Sequence, residues 1–147
     1  MEYSVKTISA EQAHDVRHPI LRKHKPREAC MFVEDHDKTT LHIGLFYGTR
    51  HIGTVTFIAN AHPSYNENTQ YQLRGMAVLE DFQGKGLGRL MVDEGERILQ
   101  TRSSQRIWLN ARIKALNFYK KLGYEICSEE FEVPIFGPHY QMTKLLA

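Results

Sequence analysis

A chain of 147 residues sets the expectation of one domain with a proper core, and 41% hydrophobic against 24% charged residues is the balance of a soluble globular protein. The formal net charge of +2, from basic residues spread along the chain, gives no electrostatic case for nucleic acid, and no apolar run reaches membrane-spanning length. Cys30 and Cys127 lack metal-ligand spacing and read as buried free thiols, and Met1–Lys6 holds no apolar leader, so a cytoplasmic protein without a metal is expected.

Tyr3–Ile8 alternates as a strand, and Ser9 is placed to cap a helix over Ala10–Leu21 that Pro19 should kink or end near His18. Lys23–Glu28 is a polar connection. Leu41–Tyr47, the turn Gly48-Thr49-Arg50 and His51–Ile58 read as a hairpin, Asn60–Thr69 as a polar loop and Gln70–Leu79 as the central strand. Leu87, Leu90, Met91, Ile98 and Leu99 repeat at helical spacing, leaving Arg89, Asp93, Glu96 and Arg97 to water. Arg106–Arg112 is a strand and Lys114–Leu122 a helix that Gly123 closes. Glu125–Glu132 and His139–Leu146 are the last two strands, joined by Val133–Pro138.

Between the central strand and the helix after it lies Gln83-Gly84-Lys85-Gly86-Leu87-Gly88. Glycines at 84, 86 and 88 let the backbone turn sharply, so that several N–H groups at a helix start can face one anion. A purely structural link between packed elements would read the same locally. No Ser or Thr follows Gly86 to complete a P-loop. The glycines alternate instead of running Gly-x-Gly-x-x-Gly, and Arg106–Ala111 carries no acidic residue for a dinucleotide ribose. The pattern that fits is Gln/Arg-x-x-Gly-x-Gly/Ala, supplied by Gln83, Gly86 and Gly88.

With this turn and, further on, Asn110-Ala111-Arg112-Ile113-Lys114-Ala115-Leu116-Asn117-Phe118-Tyr119-Lys120-Lys121-Leu122-Gly123-Tyr124, the chain resembles the GNAT superfamily of acetyl-CoA-dependent N-acetyltransferases. Leu21-Arg22, Glu28–Phe32, Tyr71–Ala77, Tyr119–Gly123 and Gly137-Pro138-His139 resemble its glyphosate N-acetyltransferase branch in particular. The fold class implied is α/β (α+β): one GNAT-type domain over residues 1–147, with a mixed central sheet of about seven strands flanked by helices in the order β-α-β-β-β-α-β-α-β-β. The resemblance also implies that acetyl-CoA is bound by Met76, Ala77, Val78, Gln83, Gly84, Lys85, Gly86, Leu87, Gly88, Arg89, Asn110, Asn117 and Tyr119. A monomer or homodimer is expected.

Moving an acetyl group from a thioester to an amine needs an uncharged nucleophile, a donor for the developing oxyanion and a proton for the departing thiolate. Family likeness puts the main-chain N–H of Met76 at the oxyanion. It makes Tyr119 the acid, a phenol that matches a thiolate better than a carboxylic acid does, and His139 the base. Read as residues alone, Tyr119 could equally be core packing, and His139 a hydrogen-bonding strand residue. His42 and His51, in the alternating hairpin, read as structural.

Arg22, Arg74 and Arg112 come from three separate elements. Arg74 interrupts an apolar run, where an unpaired cation is costly. Guanidinium groups take carboxylate or phosphate in paired bonds, so with His139 these arginines mark an acceptor site for a small anionic amine: an amino acid, an aminophosphonate or a phosphorylated amine. Internal pairing with Glu28, Glu80 or Asp81 is the competing reading. Two other functions stay open at this level: an acetyltransferase for protein or peptide amines, and a regulatory module that holds coenzyme A without turnover.

Overall fold

The computed structural model describes residues 1–146. In chain order the elements are β1 (Tyr3–Thr7), α1 (Ala10–Leu21), β2 (Leu41–Tyr47), β3 (Arg50–Ala59), β4 (Gln70–Val78), α2 (Gly88–Thr101), β5 (Arg106–Arg112), α3 (Leu116–Lys121), β6 (Glu125–Ile126), β7 (Phe131–Val133) and β8 (Gly137–Leu145). They build an eight-stranded mixed sheet in the order β1-β2-β3-β4-β5-β8-β6, with β7 also on β8. The expected strand over Glu125–Glu132 is therefore two. The step from Ile126 to Phe131 faces the shorter step from Met142 to His139, so the intervening residues leave the ladder. There the Ser128 hydroxyl replaces a main-chain acceptor for the Gln141 N–H at 2.9 Å. Cys127 lies at this break and is exposed, not buried as expected.

Pro19 does not end α1. It falls in the last turn, where its missing N–H forgoes only the bond to Asp15, and the helix runs on to Leu21. Ser9 caps it as expected, accepting from the Gln12 N–H at 3.1 Å while Gln12 Oε1 accepts from the Ser9 N–H at 3.0 Å. Helix α2 buries Met91, Val92 and Leu99, and Gly95 lets the Phe57 ring lie against its backbone. Glu96 is not left to water: it accepts from the Tyr124 hydroxyl at 2.9 Å and Lys144 Nζ at 2.8 Å. The Asn60–Thr69 loop straps the start of the central strands, where its Glu67 pairs with Arg106 at 2.6 Å and the Asn60 carbonyl accepts from Trp108 Nε1 at 2.9 Å.

Two irregularities of β4 shape everything downstream. It pairs with its parallel neighbour β5 only from Gln70↔Arg106 to Gln72↔Trp108, after which the two strands part. On its other edge, the pairs Thr54↔Ala77 and Thr56↔Arg74 leave β4 one residue longer than β3, a bulge at Gly75 and Met76. Gly75 has φ +68°, which a side chain would strain, and a Cβ there would come within 2.8 Å of Arg17 Nε and 3.2 Å of Phe32.

Beneath the bulge sits a buried charge network. Arg17, fully buried on α1, donates to Asp35 Oδ2 at 2.8 Å and Oδ1 at 2.9 Å, to the Cys30 carbonyl at 3.0 Å and to Thr56 Oγ1 at 2.7 Å. Asp35 Oδ2 also accepts from the Phe32 N–H at 2.9 Å and from His14 Nε2 at 2.7 Å. Burial alone would raise the Asp35 carboxyl, but the bonds from Arg17, Phe32 and His14 outweigh it and bring its pKa down to about 2. His42, between Thr56 and the Asp35 carbonyl, is pushed below its ordinary value by burial, as is His51.

These shifts set an acid limit on stability. A depressed Asp35 stabilises fully above its unfolded value near 3.8 and loses that contribution as pH falls through about 2. The two neutral histidines begin to cost stability below their ordinary 6.5. Thermal melts should therefore fall progressively below about pH 6.5 and steeply near the carboxylate range. Asp35→Ala, which strands the Arg17 charge, should cost about 3–5 kcal/mol at neutral pH in urea unfolding. A loss under 1 kcal/mol would show that the pair contributes little.

Candidate active site

The gap opened where β4 and β5 diverge is a cavity of about 470 Å³. Arg22 from the end of α1, Arg74 from β4, Arg112 from β5 and His139 from β8 all line it, together with Arg17, Phe32, Asn110 and Tyr119. Arg112 and His139 are direct partners across the β5–β8 ladder. Among the described residues, none of the three arginines Arg22, Arg74 and Arg112 reaches a carboxylate within 4.0 Å, so pairing with Glu28, Glu80 or Asp81 does not occur. Aromatic faces hold them instead: Arg74 lies 4.0 Å over the Phe32 ring and Arg22 4.4 Å over Phe136. Burial lowers the Arg74 pKa, yet a guanidinium keeps its charge at neutral pH.

His139 is buried, with Nδ1 2.8 Å from the Gly137 carbonyl. A carbonyl only accepts, so Nδ1 carries the proton and Nε2 of the neutral ring keeps its lone pair, without a partner among the described residues. Tyr119 is buried too, and its hydroxyl makes no hydrogen bond among the described residues. Burial pushes its pKa well up, so it stays a protonated donor across the neutral range.

A second cavity, of about 320 Å³, lies between Met76, Val78 and the glycine turn on one side and Ala115, Phe118 and Tyr119 on the other. The two cavities share Met76, Gln83, Ala115 and Tyr119, so they meet at the bulge and the phenol. Gly84 and Gly86 have φ +76° and +71°, and a Cβ on either would face open space. Amides 84 to 89 donate to no protein acceptor among the described residues. This is a cradle with unspent donors, and it fits a diphosphate. Gly88 has a different use: a Cβ there would meet Phe118 at 2.9 Å, so it lets α2 start close to α3.

Other expected residues stand apart. Asn110 lines the arginine cavity and not the glycine one, because alternation puts it on the same strand face as Arg112. Lys85, Arg89 and Asn117 are exposed and Ala77 is buried, and none of the four lines either cavity. Arg17 and Phe32 went unforeseen. Arg17 was legible in part, since Ala10, Ala13, His14 and Arg17 follow the buried stripe of α1 at helical spacing. Phe32 ends the stretch Glu28–Phe32 that resembles the branch, but no local pattern marks its ring as a cavity residue.

The Acetyltransferase (GNAT) family profile matches residues 6–124. The chain belongs to that family. The Uncharacterized N-acetyltransferase YitI of Bacillus subtilis (strain 168) is 37% identical over 142 residues, spanning 97% of this chain and 95% of its own. An aminoglycoside 6'-N-acetyltransferase complexed with coenzyme A superposes with TM-score 0.78 at 14% identity, over 98% of this chain and 97% of that one. Escherichia coli ElaA gives TM-score 0.78 at 14% identity, over 97% and 99%. At such identities the structural likeness is one of fold. This GNAT chain is an acyltransferase, an N-acetyltransferase by family.

The cradle is testable without an acceptor. Gly86→Val combines a strained φ with a side chain in the open space above the turn, and should weaken coenzyme A binding by roughly tenfold or more, the loss of about one charged hydrogen bond. Calorimetry reads the affinity, and circular dichroism checks the fold. Undiminished affinity in a folded variant would make the turn structural only.

Proposed function

We propose that the enzyme acetylates the amine of a small anionic acceptor, with acetyl-CoA as acetyl donor, His139 as base and Tyr119 as acid. The observation that carries this reading is the convergence of three arginines lacking carboxylate partners on the cavity that also holds the free Nε2 of His139. A fold does not leave three guanidinium groups unneutralised around one cavity without cost, and an acidic acceptor offsets it. The likeness of these positions to the glyphosate N-acetyltransferase branch supports the same class. The amino acid, aminophosphonate or phosphorylated amine expected from sequence all meet the requirement.

Acetyl-CoA supplies the thioester, its diphosphate suited to amides 84 to 89. The arginines fix the acceptor's acid group and aim its amine towards the junction of the two cavities. His139 Nε2 takes the ammonium proton, freeing the lone pair for attack. The bulge leaves Gly75 and Met76 without register partners on β3, and in this reading the Met76 N–H serves the oxyanion. Tyr119 gives its proton to the departing sulfur, and its burial keeps the phenol protonated until that step. A peptide or protein acceptor would call for an open acidic groove to receive its amine, which the arginine-lined cavity disfavours. A regulatory module without turnover would need neither His139 nor Tyr119 in this arrangement. A cytoplasmic location suits a pool of acetyl-CoA.

Two measurements bear on the roles. His139→Ala and Tyr119→Phe should each lower kcat by roughly 10²–10⁴-fold with little change in coenzyme A affinity. Unchanged kcat in either folded variant would remove that residue from the chemistry. Arg74→Ala should raise the acceptor KM by roughly 10- to 150-fold while the acetyl-CoA KM holds. Equal rates on neutral amines and their acidic analogues, in wild type and variant alike, would remove the anionic acceptor.

A further inference from the structure

We infer that Phe32 and Phe136 are specificity-determining positioning residues that aim the acceptor arginines by cation–π contact, taking the place that carboxylates occupy elsewhere in this protein. The inference rests on the anionic-acceptor reading above and extends it to residues that reading does not use. Phe32 has two guanidinium groups against it, Arg17 at 3.9 Å and Arg74 at 4.0 Å from the ring centroid. One face has no room for both at that distance, so the ring is sandwiched. Phe136 stands 4.4 Å from Arg22 and 5.7 Å from Arg112.

The choice of partner has a chemical consequence. A carboxylate that oriented Arg74 would occupy its N–H edge and cancel its charge, and the acceptor's acid group would have to compete with it. An aromatic face binds the flat side of the guanidinium and leaves the N–H edge free. Arg17 shows the contrast within the same stack, since both its terminal nitrogens are spent on Asp35, Cys30 and Thr56. Arg17 is thus the fixed end: the buried network holds it, it holds the Phe32 ring, and the ring holds Arg74. The Phe32 N–H bond to Asp35 ties the backbone of the ring to the same anchor.

Phe136 reaches its arginines from the turn between β7 and β8, where Ile135 has φ +75°. A β-branched residue resists that conformation, and Ile135 itself is 99% exposed and packs on nothing that would hold it there. The turn it forms sets Phe136 beside Arg22 and Arg112. These two come from different elements and share no other partner.

Inorganic phosphate serves as the probe, since its binding needs neither the amine nor turnover. Calorimetry on the full chain saturated with coenzyme A, so that the glycine cradle does not compete for the probe, should show phosphate binding to wild type. Phe32→Leu and Phe136→Leu should each weaken it by roughly 5- to 30-fold, the range of a partly desolvated cation–π contact. Coenzyme A affinity should not move. Phe32→Tyr, which keeps the ring, should restore phosphate binding to near wild type. A merely structural role would instead lower the melting temperature and both affinities together. Phe136→Leu lies on an exposed turn and keeps the test open if Phe32→Leu does not fold. Unchanged phosphate affinity in folded Leu variants overturns the orienting role alone. No phosphate binding in wild type, with coenzyme A still bound, overturns the anionic-acceptor reading and this inference with it.

Discussion

The separation of β4 from β5 after three paired residues is the constraint on which the site depends. Two parallel strands that stayed in register would close the sheet and bury their facing side chains. Here the ladder ends at Gln72↔Trp108, and from that point each strand presents main-chain groups and side chains to a gap. The gap has two compartments because β4 is bulged at Gly75. Arginines line one side, glycines the other, and Met76 and Tyr119 stand where they meet.

A bulge must be supported, and its support explains why so much charge is buried behind it. The conformation of Gly75 allows Arg17 and Phe32 to approach the β4 backbone within a distance no Cβ would permit. Arg17 can lie there because Asp35 neutralises it and His14 and the Phe32 N–H complete the carboxylate's bonds. A buried ion pair of this sort is weak evidence for net stability against an apolar alternative. It does fix a geometry, since every member is directional. The arginine charge of the cavity between β4 and β5 is handled in the opposite way, with rings against the guanidinium faces and no carboxylate within 4.0 Å of Arg22, Arg74 or Arg112 among the described residues.

The glycine turn and the helix after it form a more local device. Positive φ at Gly84 and Gly86 turns successive amides outward, and the helix that begins at Gly88 adds its own unbonded N–H groups. Gly88 brings α2 up to Phe118, one residue before Tyr119, so the cradle and the phenol are built against one another. Lys85 and Arg89, expected at the cofactor, are exposed and line neither cavity.

What sequence alone determined about this protein is what short-range physics controls. Ser9 caps α1 because its hydroxyl and Gln12 satisfy each other three residues apart, the glycines mark their turn because only they adopt its φ values cheaply, and β2, β3 and β4 declare themselves by apolar and β-branched content. Arg22, Arg74, Arg112, Tyr119 and His139 were singled out by family resemblance and not by local physics, and the fold brings all five to one cavity. Tertiary structure decided the rest, because it depends on contacts between residues far apart in the chain. Only packing could show that Arg17 meets Asp35 and that Arg22, Arg74 and Arg112 meet no carboxylate among the described residues. It alone showed Phe32 lying between two cations and the last strands splitting at an exposed Cys127. Local periodicity tells which face of an element is apolar; it holds no information on which charge, ring or backbone group from a distant segment will arrive opposite it.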